Sequence, residues 1–137
     1  MPRRDISMTA EEIDAFLGAN REAVVAANHP DGGTLATVAA YSWRDGVITV
    51  ELPADEPVLA ALRADDRACV AVEQFPSYTE IRAVVVHGPA TIVRSYNPIV
   101  AVRIPLGPDT VSFDFAKQQL PTPRPSAISR GGERGPG

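Results

Sequence analysis

Residues 23–52, AVVAANHPDGGTLATVAAYSWRDGVITVEL, decide how this chain folds. The apolar run 23–27 is closed by His29-Pro30-Asp31-Gly32-Gly33, residue types that tolerate turn dihedrals, so it reads as a strand entering a hairpin. Residues 35–43 follow as a second strand with few charges. Arg44-Asp45-Gly46 supplies another turn, and residues 47–52, rich in β-branched side chains, form a third strand. Three antiparallel strands in succession are expected.

Upstream, Thr9-Ala10-Glu11-Glu12 has capping-box spacing, in which the Thr9 hydroxyl and the Glu12 carboxylate each take up a free backbone N–H of a first helical turn. Ile13, Phe16 and Leu17 then share one face, and Gly18 and Asn20 supply an end. Downstream, Asp55-Glu56-Pro57 favours a second helix start, with Val58, Leu59 and Leu62 at helical spacing and an end near Asp65-Asp66. Residues 68–73 read as a strand. Residues 81–93 read as one long strand bent at Gly88-Pro89. Ser95-Tyr96-Asn97-Pro98 reads as a turn, followed by a final strand pair over 100–104 and 110–115. The expected order is helix, three strands, helix, then three or four strands.

A chain of 137 residues closes one hydrophobic core rather than two, and 45% hydrophobic with 22% charged residues is ordinary for a globular protein. One domain over 1–120 is expected, with residues 121–137 as a disordered tail, since that segment has few apolar side chains to offset ordering entropy. The formal net charge of -4 offers no field for nucleic acid phosphates. Nucleic acid is not an expected partner, nor is a membrane: no apolar run reaches the ~20 residues a bilayer span needs. The N-terminus carries no signal-peptide core, so the cytoplasm is the expected location.

Walker, nucleophile-elbow, dinucleotide and CxxC signatures are all missing from the sequence. With His29 in a turn, His87 in a strand and a single Cys69 in an apolar run, no metal site is expected. Tyr41 and Trp43 read as packing groups. Asp55 and Glu56 read as helix-start carboxylates rather than as a catalytic acid and base.

The turns and strands, taken together, resemble the pyridoxamine 5'-phosphate oxidase-like family, the flavin mononucleotide (FMN)-binding split barrels, which also include deazaflavin-dependent reductases. The resemblance spans residues 12–117. It rests on Asp31-Gly32-Gly33 leading into Leu35-Ala36-Thr37-Val38-Ala39-Ala40, the Asp45-Gly46 turn, residues 62–70, residues 78–82, His87-Gly88-Pro89-Ala90 and Val111-Ser112-Phe113-Asp114-Phe115. It implies a mainly β fold, a split β-barrel with short helices, and a cofactor ring along the second and third strands at a dimer interface. By position, Thr37, Val38, Ala39, Ala40, Glu51 and Leu52 would meet that ring, and Arg82 matches a basic family position. The family's phosphate anchors correspond here to Thr37, Pro57 and Val58, none of them cationic, and Asp55 and Glu56 would oppose a phosphate.

Two functions follow. One is an FMN- or deazaflavin (coenzyme F-420)-dependent oxidoreductase, in which the ring carries the chemistry without a catalytic side chain. The other is a non-catalytic dimer that has lost the phosphate anchors and binds another small ligand or none. A haem site would rest on His87 alone. A homodimer is expected from strand faces such as Val84, Val86 and Ile92, which one short helix can hardly cover.

Overall fold

A computed structural model describes residues 5–77 and 80–119. Residues 1–4 and the expected tail, 121–137, lie outside the described residues. Thr9 caps α1 (Ala10–Ala19): its hydroxyl accepts from the Glu12 N–H at 3.1 Å, while the Glu12 carboxylate accepts from the Thr9 N–H at 2.8 Å. Such a cap is worth about 0.5–2 kcal/mol. After α1 come β1 (Glu22–Asn28), β2 (Thr34–Arg44) and β3 (Val47–Pro53), paired antiparallel in the order β3-β2-β1. The β2–β3 turn places Asp45 and Gly46 at φ 54° and 77°, left-handed values that match the strand twist of a tight hairpin.

Glu56 caps α2 (Pro57–Ala64) by accepting from the Val58 N–H at 3.2 Å, with Pro57 at the first helical position where its missing N–H costs nothing. The Glu56 carboxylate at this helix start therefore has a structural role. Val58, Leu59, Ala61 and Leu62 are buried against β1 and β2. Each large side chain among them contributes about 1.5–3 kcal/mol through burial.

Five strands follow α2, not three or four: β4 (Arg67–Gln74), β5 (Arg82–Pro89), β6 (Thr91–Tyr96), β7 (Ile99–Pro105) and β8 (Val111–Asp114), with α3 (Ala116–Gln119) last. All belong to one antiparallel sheet ordered β6-β7-β3-β2-β1-β4-β5-β8. The expected long strand at 81–93 is thus two strands that leave Ala90 for opposite halves of the sheet. There the Ala90 N–H is held by the Asp66 carbonyl at 2.7 Å. Nor do 100–104 and 110–115 pair with each other, since β7 lies between β6 and β3 while β8 pairs with β5. Asn97-Pro98 makes the β6–β7 turn, but Ser95 and Tyr96 still belong to β6.

The sheet curls until β5 meets β7, where a Cβ on Gly88 would stand 3.6 Å from the Pro105 carbonyl oxygen. Inward residues alternate along each strand, as a pleated wall requires. Val25, Ile48, Val50, Leu52, Val70, Val72, Val84, Val86, Val102 and Ile104 fill the interior, with α1 and α2 packed against it. The result is a mainly β split barrel with short helices. No helix among the described residues is long and apolar enough to cross a membrane.

Candidate functional site

The outer face of the sheet carries an apolar band. Register places Val38 beside Val24, Val24 beside Ala71, Ala71 beside Val85 and Val85 beside Val111, one row across five strands. At about 4.8 Å per strand the row is about 19 Å long. Val38 is 64% exposed, Val111 53% and Val24 38%, in contrast to the closed interior behind them. Ala36, Ala26 and Cys69 continue the band toward the β1–β2 turn, ending on His87 opposite Cys69. Burial pushes the Cys69 thiol pKa up, so it remains a neutral thiol at physiological pH.

Beyond that row the face becomes polar. A depression of about 360 Å³ is lined by Ala26, Asn28, Thr34, Arg67, Cys69 and His87. Beside it lies one of about 520 Å³, lined by Asn28, His29, Gly32, Gly33, Asp65 and Arg67. Arg67 is the one arginine or lysine among the described residues lining either. Its guanidinium is already engaged: Nε donates to Asp65 Oδ1 at 3.0 Å and Nη2 to Oδ2 at 2.6 Å. Asn28 Nδ2 adds a third bond to Asp65 at 3.2 Å. Together these bonds hold the Asp65 carboxyl well below the usual carboxylate range and raise the Arg67 pKa. Among the described residues no cluster of three or more metal-ligating side chains exists.

The residues expected at a cofactor divide between faces, because four consecutive strand residues cannot all turn to one ligand. Val38, Ala40 and Glu51 point outward, Ala40 pairing with Glu51, whose Oε2 accepts from the Tyr96 hydroxyl at 3.0 Å. Thr37 is half-buried on the inward side, and Ala39 and Leu52 are core residues, Leu52 at 0% exposure. Only their backbone could meet a ligand on the outer face.

Arg82 is not brought to this group. It lies on β5, separated from β2 by β1 and β4, and its guanidinium stands 5.3 Å from the centroid of the Phe16 ring of α1. Its Nη2 donates to the Gln74 side chain rather than to Glu73 or Glu80. The residues missed by sequence reasoning are Asp65 and Arg67. Their signal was the Asp-x-Arg spacing across the end of α2, which allows a two-residue-apart ion pair.

Tyr41 and Trp43 are packing and anchoring groups as expected. The Tyr41 hydroxyl donates to the Leu17 carbonyl at 2.7 Å and Trp43 Nε1 to Asp14 Oδ1 at 2.8 Å, so both fasten α1 to β2. Desolvation pushes the Tyr41 pKa up to about 12.

No protein-family model matches the sequence. No curated protein is significantly similar to it either. The solved structures are informative. A conserved hypothetical protein of Mycobacterium tuberculosis is similar over 93% of this chain and 98% of its own, at 27% identity and a TM-score of 0.76. An FAD-binding protein of Mesorhizobium loti matches over 79% and 96%, at 18% identity and a TM-score of 0.67. A candidate pyridoxamine 5'-phosphate oxidase of Corynebacterium glutamicum matches over 79% and 95%, at 14% identity and a TM-score of 0.64. The chain therefore has the split-barrel fold of the pyridoxamine 5'-phosphate oxidase-like proteins.

Proposed function

We propose that this protein is a cytoplasmic, homodimeric oxidoreductase that holds a flavin or deazaflavin ring against the outer apolar band, between two copies of the chain. The observation that carries this reading is the band itself, an exposed apolar row running from Val38 on β2 to Val111 on β8 that a soluble monomer has no reason to leave to water. A ring system can lie on a pleated surface of small side chains, and a second copy would exclude water from its other side. Flavin binding by solved proteins of this fold, two of them described as FAD-binding, supports the choice of ring. The proposed contacts are Val38, Ala40 and Glu51 through side chains, and Thr37, Ala39 and Leu52 through backbone.

When bound, the ring would supply the hydride or electron transfer, with FMN or the deazaflavin coenzyme as the candidates. The chain's own part is to orient the ring on β2 and β3 and keep it dry. Val84 and Val86, expected to be uncovered, are 0% exposed in the protomer's own core, whereas Ile92 is exposed as expected; on the outer band the apolar side chains open to a partner are Val24, Val38 and Val111.

The phosphate end favours a second reading. Arg67 is tied to Asp65, so a mononucleotide phosphate in the neighbouring depression would share the guanidinium with a carboxylate that repels it. That arrangement suits a split-barrel dimer that binds an uncharged or cationic small molecule, or none. Visible absorption spectra of the purified protein, alone and titrated with FMN and with the deazaflavin coenzyme, separate the two. A saturable spectral shift with either cofactor is expected; failure of both leaves the second reading.

A further inference from the structure

On the opposite side of the sheet from the outer band, α1, β5 and β8 enclose a depression of about 310 Å³ that the flavin reading does not use. Met8, Ala15, Phe16 and Ala19 form its apolar wall, and Arg82 and Asp114 supply its charges. Arg82 and Asp114 are register partners on β5 and β8, yet among the described residues no carboxylate lies within ion-pair distance of Arg82. The guanidinium is held in place by stacking over Phe16 and by one bond to the Gln74 amide oxygen, which leaves Nε and Nη1 without a partner among the described residues. Asp114 is oriented in turn. Its Oδ1 accepts from the Ala116 N–H at 3.0 Å, and its backbone N–H donates to the Ile6 carbonyl at 2.7 Å, leaving Oδ2 unpartnered among the described residues. The other acid lining the depression, Glu12, is neutralised by Lys117 Nζ at 2.6 Å.

A fixed cation and a fixed anion that face one cavity without pairing suit a ligand bearing both opposite charges. We infer that this depression binds a small apolar amino acid: its carboxylate on Arg82, its ammonium on Asp114, and its aliphatic or aromatic side chain against Phe16 and the alanines of α1. A simple anion would gain Arg82 but meet Asp114, and a simple amine the reverse. Only the zwitterion satisfies both. The volume is at the small end of ligand pockets, enough for a single amino acid and too small for a nucleotide. This site is independent of the outer face, so either can fail without the other.

The test is a titration of the full-length, isotope-labelled protein with L-leucine, followed by amide chemical shifts. Shifts at 15–19, 82 and 114 are expected. The two halves of the ligand serve as controls: 4-methylpentanoate, lacking the amine, and 3-methylbutylamine, lacking the carboxylate, should each bind at least about tenfold more weakly. Arg82→Gln and Asp114→Asn should each lower leucine affinity by a similar factor while the rest of the spectrum stays dispersed. Should Arg82→Gln fail to fold, Asp114→Asn and the two ligand controls still decide the matter. The proposal is overturned if about 10 mM leucine leaves these signals unmoved, if the three ligands bind alike, or if the shifts lie elsewhere.

Discussion

Replacing Tyr41 with Phe removes one oxygen and keeps the ring, so it isolates the bond that fastens α1 to the barrel. The Tyr41 side chain is buried, and its hydroxyl reaches the Leu17 carbonyl at 2.7 Å. Leu17 sits in the last turn of α1, where carbonyls lack helical partners, and it is 0% exposed, so water is a poor substitute. The neighbouring Phe16 carbonyl has its own cap, Asn20 Nδ2 at 2.8 Å, which cannot serve both. A neutral hydrogen bond contributes about 1 kcal/mol, and the buried acceptor left behind costs about 1–3 kcal/mol, so a loss of about 2 kcal/mol is expected. For a domain of this size that lowers Tm by about 6–12 °C. The sign with pH is also fixed. The Tyr41 pKa is raised in the folded state, so the stabilisation is full below about 10 and lost as pH climbs toward about 12. Thermal unfolding of wild type and Tyr41→Phe, followed by circular dichroism from neutral to alkaline pH, measures both effects. A Tm change under about 2 °C at neutral pH would show that water reaches Leu17 and that the hydroxyl does not anchor α1.

Other expectations follow from single contacts. Gly46→Ala should destabilise by about 1 kcal/mol in denaturant unfolding, because Gly46 has φ 77°, a conformation that costs a residue with a Cβ; an unchanged midpoint would contradict it. Glu12→Gln should be less stable than wild type at neutral pH and converge with it on acidification. The Lys117 and Thr9 bonds lower the Glu12 pKa below 4.5, so its contribution is present above that value and fades as pH falls toward the lowered folded value. Parallel acid-unfolding curves for the two proteins would refute the clasp.

The local signals in the sequence carried far. The Thr9–Glu12 capping box, the β1–β2–β3 meander around Asp45-Gly46 and the Pro57 helix start are all set by residues within a few positions of one another, and each formed as expected. What the sequence hid was long-range pairing. Residues 81–93 are rich in β-branched side chains, and Gly88-Pro89 signals a bend, but nothing local says that the chain leaves for the opposite half of the sheet at Ala90. The site suffered in the same way. Thr37 to Ala40 is one run in sequence but two faces in the sheet, and Arg82, the basic residue singled out, turned toward Phe16 rather than toward β2. Val84 and Val86 looked uncovered because the interior they fill is built from strands far away in the chain.

The most direct test of the outer face is a flavin fluorescence titration of wild type and Val38→Glu. Val38 is 64% exposed in the protomer, so glutamate there should leave the folded chain intact by circular dichroism. Between two copies and against a ring, however, it would bury an unpaired charge. Saturable quenching of FMN by the wild type and at least about tenfold weaker binding by Val38→Glu are expected; equal binding by the two proteins, or none by the wild type with either FMN or the deazaflavin coenzyme, would contradict a cofactor site on this face.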